Sequence, residues 1–217
     1  MVIAVPEYRL AYAAVPKAGC SSVKAMLAQV DPNVALPPLE KTTNRTWHAL
    51  YPTQRYRKWR WKQYRSDFFF TVIRDPVKRL MSVYTNRVVQ KRELFKSRNI
   101  KSGHLGLPAD PDPDFFFQNL REYMQAAAVI KHHALPTWMF TGRDLAFYDC
   151  VFRTDEMNEL AHELSERTGS LVESMRANSS EQRLEFDDLA SETRDALRPV
   201  LIEEYVHLRG YFDNPMR

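Results

Sequence analysis

Two stretches of the chain share one pattern, in which an apolar strand leads through a tight turn into an amphipathic helix. The first stretch covers residues 10–27 and the second covers residues 67–84. The second contains Phe68 to Ile73, an unbroken apolar run that is typical of a strand covered on both faces of its sheet. Such units build parallel sheets flanked by helices, and we therefore predict an α/β fold.

Length and composition narrow the class of protein. The chain has 217 residues, which fits a single domain over residues 1–217, and 44% of them are hydrophobic, which is enough for a core. No run of 18 apolar residues exists, so we expect no transmembrane segment. The first ten residues lack the basic and apolar regions of a signal peptide, and the two cysteines make no disulfide framework. A cytoplasmic protein is the expectation.

Charge is distributed unevenly along the chain. Residues 1–101 hold 20 Lys and Arg against 6 Asp and Glu, whereas residues 102–217 hold 11 against 21. The excess is greatest in residues 55–101, with 15 basic and 3 acidic side chains. This stretch is either a solvated basic face or the source of a positive field that attracts an anionic ligand.

The turn in the first stretch has the composition of an anion site. Gly19 permits a backbone angle that other residues avoid, and Ser21 and Ser22 begin a helix whose first amides have no intrahelical acceptor. These amides, the two hydroxyls and the ammonium group of Lys17 can converge on one anion. The turn is not a Walker A loop, because its lysine precedes the glycine.

The second stretch adds a basic side chain and a hydroxyl at a matching position. Arg74 follows the strand directly, and Asp75-Pro76 is a strong signal for the start of a helix. Ser82 lies two turns further along that helix, on a flank away from its apolar stripe. A long guanidinium and a short hydroxyl could contact one phosphate group from two sides.

Other elements are predicted from shorter patterns. We expect a short strand over residues 47–51, a basic and aromatic helix over residues 53–65, and a strand from Tyr148 to Phe152. The helix after Asp75 is expected to run to about residue 98. The last helix is expected over residues 187–208, either kinked or split at Pro199.

Together the two motifs resemble those of sulfotransferases that use 3′-phosphoadenosine 5′-phosphosulfate (PAPS). The chain is most similar to the carbohydrate branch, which includes Golgi enzymes that act on glycans. Residues 15–24, VPKAGCSSVK, match that branch's 5′-phosphosulfate loop, and residues 70–84, FTVIRDPVKRLMSVY, match its 3′-phosphate motif. The resemblance implies a P-loop-like parallel sheet flanked by helices, which is the sulfotransferase fold.

The resemblance also implies roles for individual residues. Lys17 would contact the sulfate and the bridging oxygen, while Arg74 and Ser82 would hold the 3′-phosphate. The 5′-phosphate would lie in the loop that follows Lys17, formed by Ala18, Gly19, Cys20, Ser21 and Ser22. The donor would be PAPS and the released nucleotide adenosine 3′,5′-bisphosphate. Cys20 departs from many sulfotransferases, which have Ser or Thr there, so we expect little polar contact from its side chain.

Transfer to an acceptor hydroxyl requires a general base, and histidine suits this role near neutral pH. His48 is the first candidate, because it lies between the two motifs and because heparan-type relatives have a catalytic histidine at a similar distance before the 3′-phosphate motif. His133 is the second, because the glycan branch has a histidine before a spaced proline there. We expect no metal, because the His132-His133 pair has no matching carboxylate spacing.

The sequence leaves alternatives open. A P-loop-type kinase or nucleotide hydrolase is disfavoured, because the chain lacks the GK[ST] ending and a clear Walker B carboxylate. A non-catalytic binder of an acidic polymer would use the basic stretch but would leave Lys17, Arg74 and Ser82 unexplained. The acceptor is expected to be a carbohydrate hydroxyl, while a lipid-linked glycan, a peptide tyrosine and a small alcohol stay open. No nucleic acid is expected as a partner. The basic and aromatic residues 55–65 fit either sugar stacking and polyanion binding or an amphipathic helix.

Overall fold

The computed structural model describes residues 2–35, 42–103, 106–174 and 183–216. The described residues form two compact units. The first combines Met1–Arg74 with Thr137–Ser179, and the second combines Asp75–Pro136 with Ser180–Arg217. One domain can contain several compact units, so the single domain over residues 1–217 stays a prediction.

The described residues contain four strands and eleven α-helices. The strands are β1 (Ile3–Val5), β2 (Leu10–Ala13), β3 (Phe68–Ile73) and β4 (Cys150–Arg153). The helices of the first unit are α1 (Cys20–Val30), α2 (Asn44–Leu50), α3 (Lys58–Lys62), α9 (Trp138–Thr141) and α10 (Met157–Thr168). Those of the second unit are α4 (Pro76–Val83), α5 (Arg98–Lys101), α6 (Pro113–Gln118), α7 (Leu120–Ala126), α8 (Ala128–Ala134) and α11 (Ser191–His207).

All four described strands belong to the first unit and form one open sheet in the order β1-β2-β3-β4. β2 pairs with β3 and β3 pairs with β4 in parallel, with Leu10 opposite Phe68 and Phe70 opposite Cys150. β1 is an antiparallel edge strand, which the sequence patterns did not predict because it has three residues. The flanking helices confirm the predicted α/β class.

Side chains alternate between two apolar layers on the two faces of the sheet. Tyr12, Phe70 and Phe152 pack in one layer with apolar residues of α1, α2 and α10. Phe69, with Ala11 and Ala13, packs in the other layer against Trp61 of α3 and Tyr148. A parallel sheet that is covered on both faces explains the unbroken apolar run of β3.

Three predictions about local structure were wrong or too long. The helix predicted over residues 53–65 is limited to α3, Lys58–Lys62. Residues 47–51 do not form a strand, because Thr43 and Thr46 make a capping box that starts α2. The helix after Asp75 does not run to residue 98: α4 continues into a π-helical segment, Tyr84–Gln90, and a 3₁₀ turn follows at Glu93–Lys96. The last helix, α11, is continuous with Pro199 inside it.

The second unit contains a buried ion pair. Arg79 of α4 and Glu204 of α11 are 2% and 3% exposed, and Nη2 of Arg79 lies 3.0 Å from Oε2 of Glu204. The guanidinium also donates to the carbonyls of His133 and Leu135, at 3.3 and 3.1 Å. The arginine is thus neutralised by a carboxylate and held by backbone acceptors within its own unit.

Candidate active site

The turn between β2 and α1 has the backbone geometry of an anion cradle. Lys17 has φ +66° and Gly19 has φ +69°, both in the left-handed region, so the chain curls sharply before the helix begins. The first helical bonds run from the amides of Ser22 and Val23 to the Gly19 carbonyl, at 2.9 and 3.2 Å. The amides just before them therefore open α1 without an intrahelical acceptor, where the helix dipole favours a negative charge.

Some side chains of this turn lie in the apolar core, and others are partly exposed to solvent. Ala18 is fully buried and Cys20 is 7% exposed in the apolar layer, so both contribute to the turn through their backbone. A Cβ atom on Gly19 would lie 3.6 Å from Cε of Met157 and 3.8 Å from Cγ2 of Thr154. Lys17 and Ser22 are only half-buried. The buried residues fix the turn, and the polar side chains of Lys17 and Ser22 are the more accessible ones.

Arg74 lies beside this turn. β2 and β3 are parallel neighbours, so their carboxyl ends meet at the same edge of the sheet. Nη1 of Arg74 donates to the backbone carbonyl of Lys17 across 3.2 Å. The structure thus brings together the basic residues of the two sequence motifs, which are 57 positions apart.

His48 lies against the first turn of α1. Its Nε2 is 3.1 Å from Oγ of Ser21, and its Nδ1 is 2.9 Å from Nζ of Lys24. Lys24 also donates to Oγ1 of Thr53, at 2.7 Å. Four side chains therefore form a chain of hydrogen bonds, Ser21–His48–Lys24–Thr53, that begins at the proposed cradle.

Lys24 is unusual in having no exposed surface at all. Burial lowers the pKa of its ammonium group from the usual value, while the nearby thiol of Cys20 opposes that shift. Its hydrogen-bond partners His48 and Thr53 offer an imidazole nitrogen and a hydroxyl rather than a carboxylate. The neutral amine is thus favoured here more than at a typical lysine.

Ser82 and His133 belong to the second unit. Oγ of Ser82 donates to the carbonyl of Arg79 at 2.6 Å, which ties the half-buried hydroxyl to its own helix. His133 is 8% exposed, and its Nδ1 lies 2.7 Å from the carbonyl of Val129, so that nitrogen carries a proton and donates. The proposed roles of both residues stay predictions.

Lys24 and Thr53 were not among the residues expected at the site. One signal for Lys24 was in the sequence: it is a lysine among Val23, Ala25, Met26 and Leu27, within an otherwise apolar stretch of α1. A charged side chain inside an apolar helix face marks either a buried pair or a functional group. Thr53 follows α2 in a segment without regular structure and carries no such signal.

Within residues 2–35, 42–103, 106–174 and 183–216, no three His, Cys, Asp or Glu side chains are grouped so that they could share a metal ion. No helix in that part of the chain combines the length and apolar character needed to cross a bilayer.

Comparison with protein families and known proteins was informative for the family. The model of the sulfotransferase family matches residues 1–209, which include both motifs and the whole described sheet. No curated protein and no solved structure matches the chain. Because the family match covers nearly all of its length, the chain belongs to the sulfotransferase family, whose enzymes transfer sulfuryl groups.

Proposed function

We propose that the protein transfers the sulfuryl group of PAPS to a hydroxyl group of a carbohydrate acceptor. The observation that carries the proposal is the contact between Arg74 and the Lys17 carbonyl, which joins the 5′ and 3′ motifs at one sheet edge. Family membership supports sulfuryl transfer. The carbohydrate class rests on the resemblance of residues 15–24 and 70–84 to the glycan-acting branch, and a cytoplasmic location remains part of the proposal.

Each end of the donor has a proposed binding group. The amides that open α1, with the hydroxyls of Ser21 and Ser22, would bind the 5′-phosphate. The guanidinium of Arg74 would bind the 3′-phosphate, for which Ser82 stays a candidate from the sequence. In sulfuryl transfer the bond from sulfur to the bridging oxygen breaks as the acceptor oxygen bonds to sulfur. The ammonium of Lys17 would stabilise the charge that builds on the leaving oxygen.

His48 is the proposed general base, and the state of Lys24 decides whether it can act. When Lys24 is charged, its ammonium donates to Nδ1, so the ring proton of a neutral His48 is on Nε2. When Lys24 is neutral, Nδ1 can carry the proton and donate to the amine, and the lone pair of Nε2 faces Ser21 and the cradle. We propose that the second state is active and that Nε2 accepts the proton of the acceptor hydroxyl. His133 remains the second candidate.

Calorimetry with adenosine 3′,5′-bisphosphate tests the donor site. We expect binding to the wild type at micromolar concentration. Arg74→Ala should weaken it by roughly 10- to 100-fold, the usual effect of losing a hydrogen bond to a charged group. Lys91→Ala, which removes an exposed lysine of the second unit, is the control and should bind as the wild type does.

A transfer assay with labelled PAPS and a panel of oligosaccharides tests the reaction. Lys17→Ala should lower the rate by about 10²- to 10³-fold, the range seen when one group that stabilises a developing oxyanion is lost. Absence of adenosine 3′,5′-bisphosphate binding by the wild type would reject the proposal. Magnesium-dependent turnover of ATP in place of transfer would reject it in favour of a nucleotide hydrolase or kinase.

A further inference from the structure

The first unit contains a second candidate site, which none of the proposed catalytic residues lines. A groove of about 630 Å³ lies between two segments, residues 56–65, which include α3, and residues 138–147. Trp61 lines the groove and belongs to one apolar layer of the sheet, whereas α1 packs in the layer on the opposite face. The groove is therefore distinct from the cradle that begins α1.

Basic residues outnumber acidic ones in the lining of this groove. Five of the lining residues are Lys or Arg and one is acidic, and the basic ones are Arg57, Lys58, Lys62, Arg65 and Arg143. Among the residues that the structure describes, Arg57, Lys58 and Lys62 form no ion pair with a carboxylate. Exposed cations gathered around a concave surface attract and hold anionic groups.

The floor beneath these cations is rigid. Trp61 is 4% exposed and makes edge contacts with Tyr56, Phe69 and Tyr148, with ring centroids 4.4, 4.9 and 5.1 Å apart. The amide of Tyr56 donates to the carbonyl of Met139 at 2.8 Å, which joins the two walls of the groove. Gly142 allows this closure, because a Cβ atom there would lie 3.0 Å from the Tyr56 ring. A preformed groove loses little entropy when a ligand binds.

One polar atom in the lining has no partner. The indole Nε1 of Trp138 is buried and makes no hydrogen bond to any described residue. The guanidinium of Arg143 covers the Trp138 ring, 4.1 Å from its centroid. Because this nitrogen is shielded from solvent, a molecule in the groove would contact the Arg143 guanidinium rather than the indole N–H.

We propose that this groove binds an acidic carbohydrate chain, with its sulfate or carboxylate groups on the basic residues. The carbohydrate class rests on the proposed function. A single-stranded nucleic acid fits less well, because base stacking needs an exposed aromatic face. Trp61 is buried, and Arg143 lies over Trp138. The groove would hold a part of an acceptor chain away from the hydroxyl that reacts.

Titration with a heparin-derived octasaccharide, used as a sulfated and carboxylated probe, tests this proposal. The variant combines Arg57→Glu with Lys62→Glu. We expect its affinity at 0.1 M NaCl to fall by tenfold or more, and the slope of log K against log salt to be less steep by about two. The control combines Arg121→Glu with Lys131→Glu, two exposed basic residues of the second unit, and should change affinity by less than twofold.

A second variant and two further ligands separate the possible outcomes. Arg143→Gln removes the guanidinium that lies over the Trp138 ring, and we expect a three- to tenfold loss of octasaccharide affinity. Adenosine 3′,5′-bisphosphate should bind the groove variants as it binds the wild type, so that failure of the groove and failure of the donor site are told apart. Unchanged octasaccharide affinity in the Arg57/Lys62 variant would overturn the proposal, as would tighter binding of single-stranded poly(U) than of the octasaccharide.

Discussion

Among the residues that the structure describes, each compact unit buries one Lys or Arg side chain almost completely, and the two are held in opposite ways. Arg79 in the second unit contacts the carboxylate of Glu204 and two backbone carbonyls. Lys24 in the first unit contacts an imidazole nitrogen and a hydroxyl. The arginine is charged at any physiological pH and its charge is compensated, whereas burial lowers the pKa of the lysine.

The difference separates a structural cation from one that can take part in chemistry. A fully compensated guanidinium holds helices together and has no second protonation state to offer. A buried lysine that contacts a histidine can exchange between two states and can set which ring nitrogen carries the proton. We therefore expect changes at Arg79 to affect stability and changes at Lys24 to affect transfer.

The largest expected effect is on stability. Arg79→Ala removes the ion-pair partner of the buried Glu204 carboxylate, which should lower the free energy of unfolding by about 3–5 kcal/mol. Urea unfolding followed by circular dichroism measures this loss. Arg194→Ala, which removes a solvent-exposed ion pair with Asp187, is the matched control and should cost no more than about 1 kcal/mol. Equal losses in the two variants would show that the Arg79 pair is not a structural centre.

Substitutions of Lys24 test the other half of the comparison. Lys24→Arg keeps a permanent positive charge beside Nδ1 of His48 and should hold the ring proton on Nε2, which removes the base. We expect the transfer rate to fall by about 10²-fold or more, the usual contribution of a general base. Lys24→Met removes the charge and should lose less. If Lys24→Arg is as active as the wild type, His48 is not a base controlled by this lysine.

The pH dependence of transfer should follow Lys24. Its pKa is lowered from 10.5, so the rate should rise with pH as the ammonium loses its proton, and this rise should be absent in Lys24→Met. Between the lowered pKa and 10.5 the unfolded chain binds more protons than the folded chain. The lysine therefore destabilises the fold most at low pH, and this cost is relieved as pH rises through that window. An identical pH profile for wild type and Lys24→Met would contradict the proposed role.

The smallest expected effect concerns the hydrogen bond between Tyr51 and Asp31, to which the proposed mechanism gives no catalytic role. The hydroxyl of Tyr51 donates to Oδ2 of Asp31 at 2.7 Å, and burial and this bond raise the pKa of Tyr51. Tyr51→Phe should cost about 1–2 kcal/mol of unfolding free energy, because it leaves a buried carboxylate oxygen with one bond fewer. Transfer at saturating substrates should be unchanged, and a large loss of rate would mean that the catalytic region extends beyond Lys24.

Local signals in the sequence were sufficient for the strand–turn–helix units. Each of these signals lies within a few residues of the structure that it predicts: the apolar run of β3, Gly19 before α1 and the Asp75-Pro76 cap of α4. The same signals failed for β1, because a strand of three residues is too short to show a pattern. They also failed for α2, where the strand-like residues 47–51 follow a capping box that starts a helix. The sequence shows no local pattern for the contact between Lys24 and His48, which are 24 positions apart, or for the groove beside Trp138. Only folding of the chain brings those side chains together.

The most direct test of the proposed donor site is a crystal structure of the protein with adenosine 3′,5′-bisphosphate. We expect the 5′-phosphate at the amides that open α1, within reach of Lys17, and the 3′-phosphate within hydrogen-bonding distance of the Arg74 guanidinium. A nucleotide bound elsewhere, with neither phosphate contacting Lys17, Arg74 or the start of α1, would contradict the assignment of this sheet edge as the donor site.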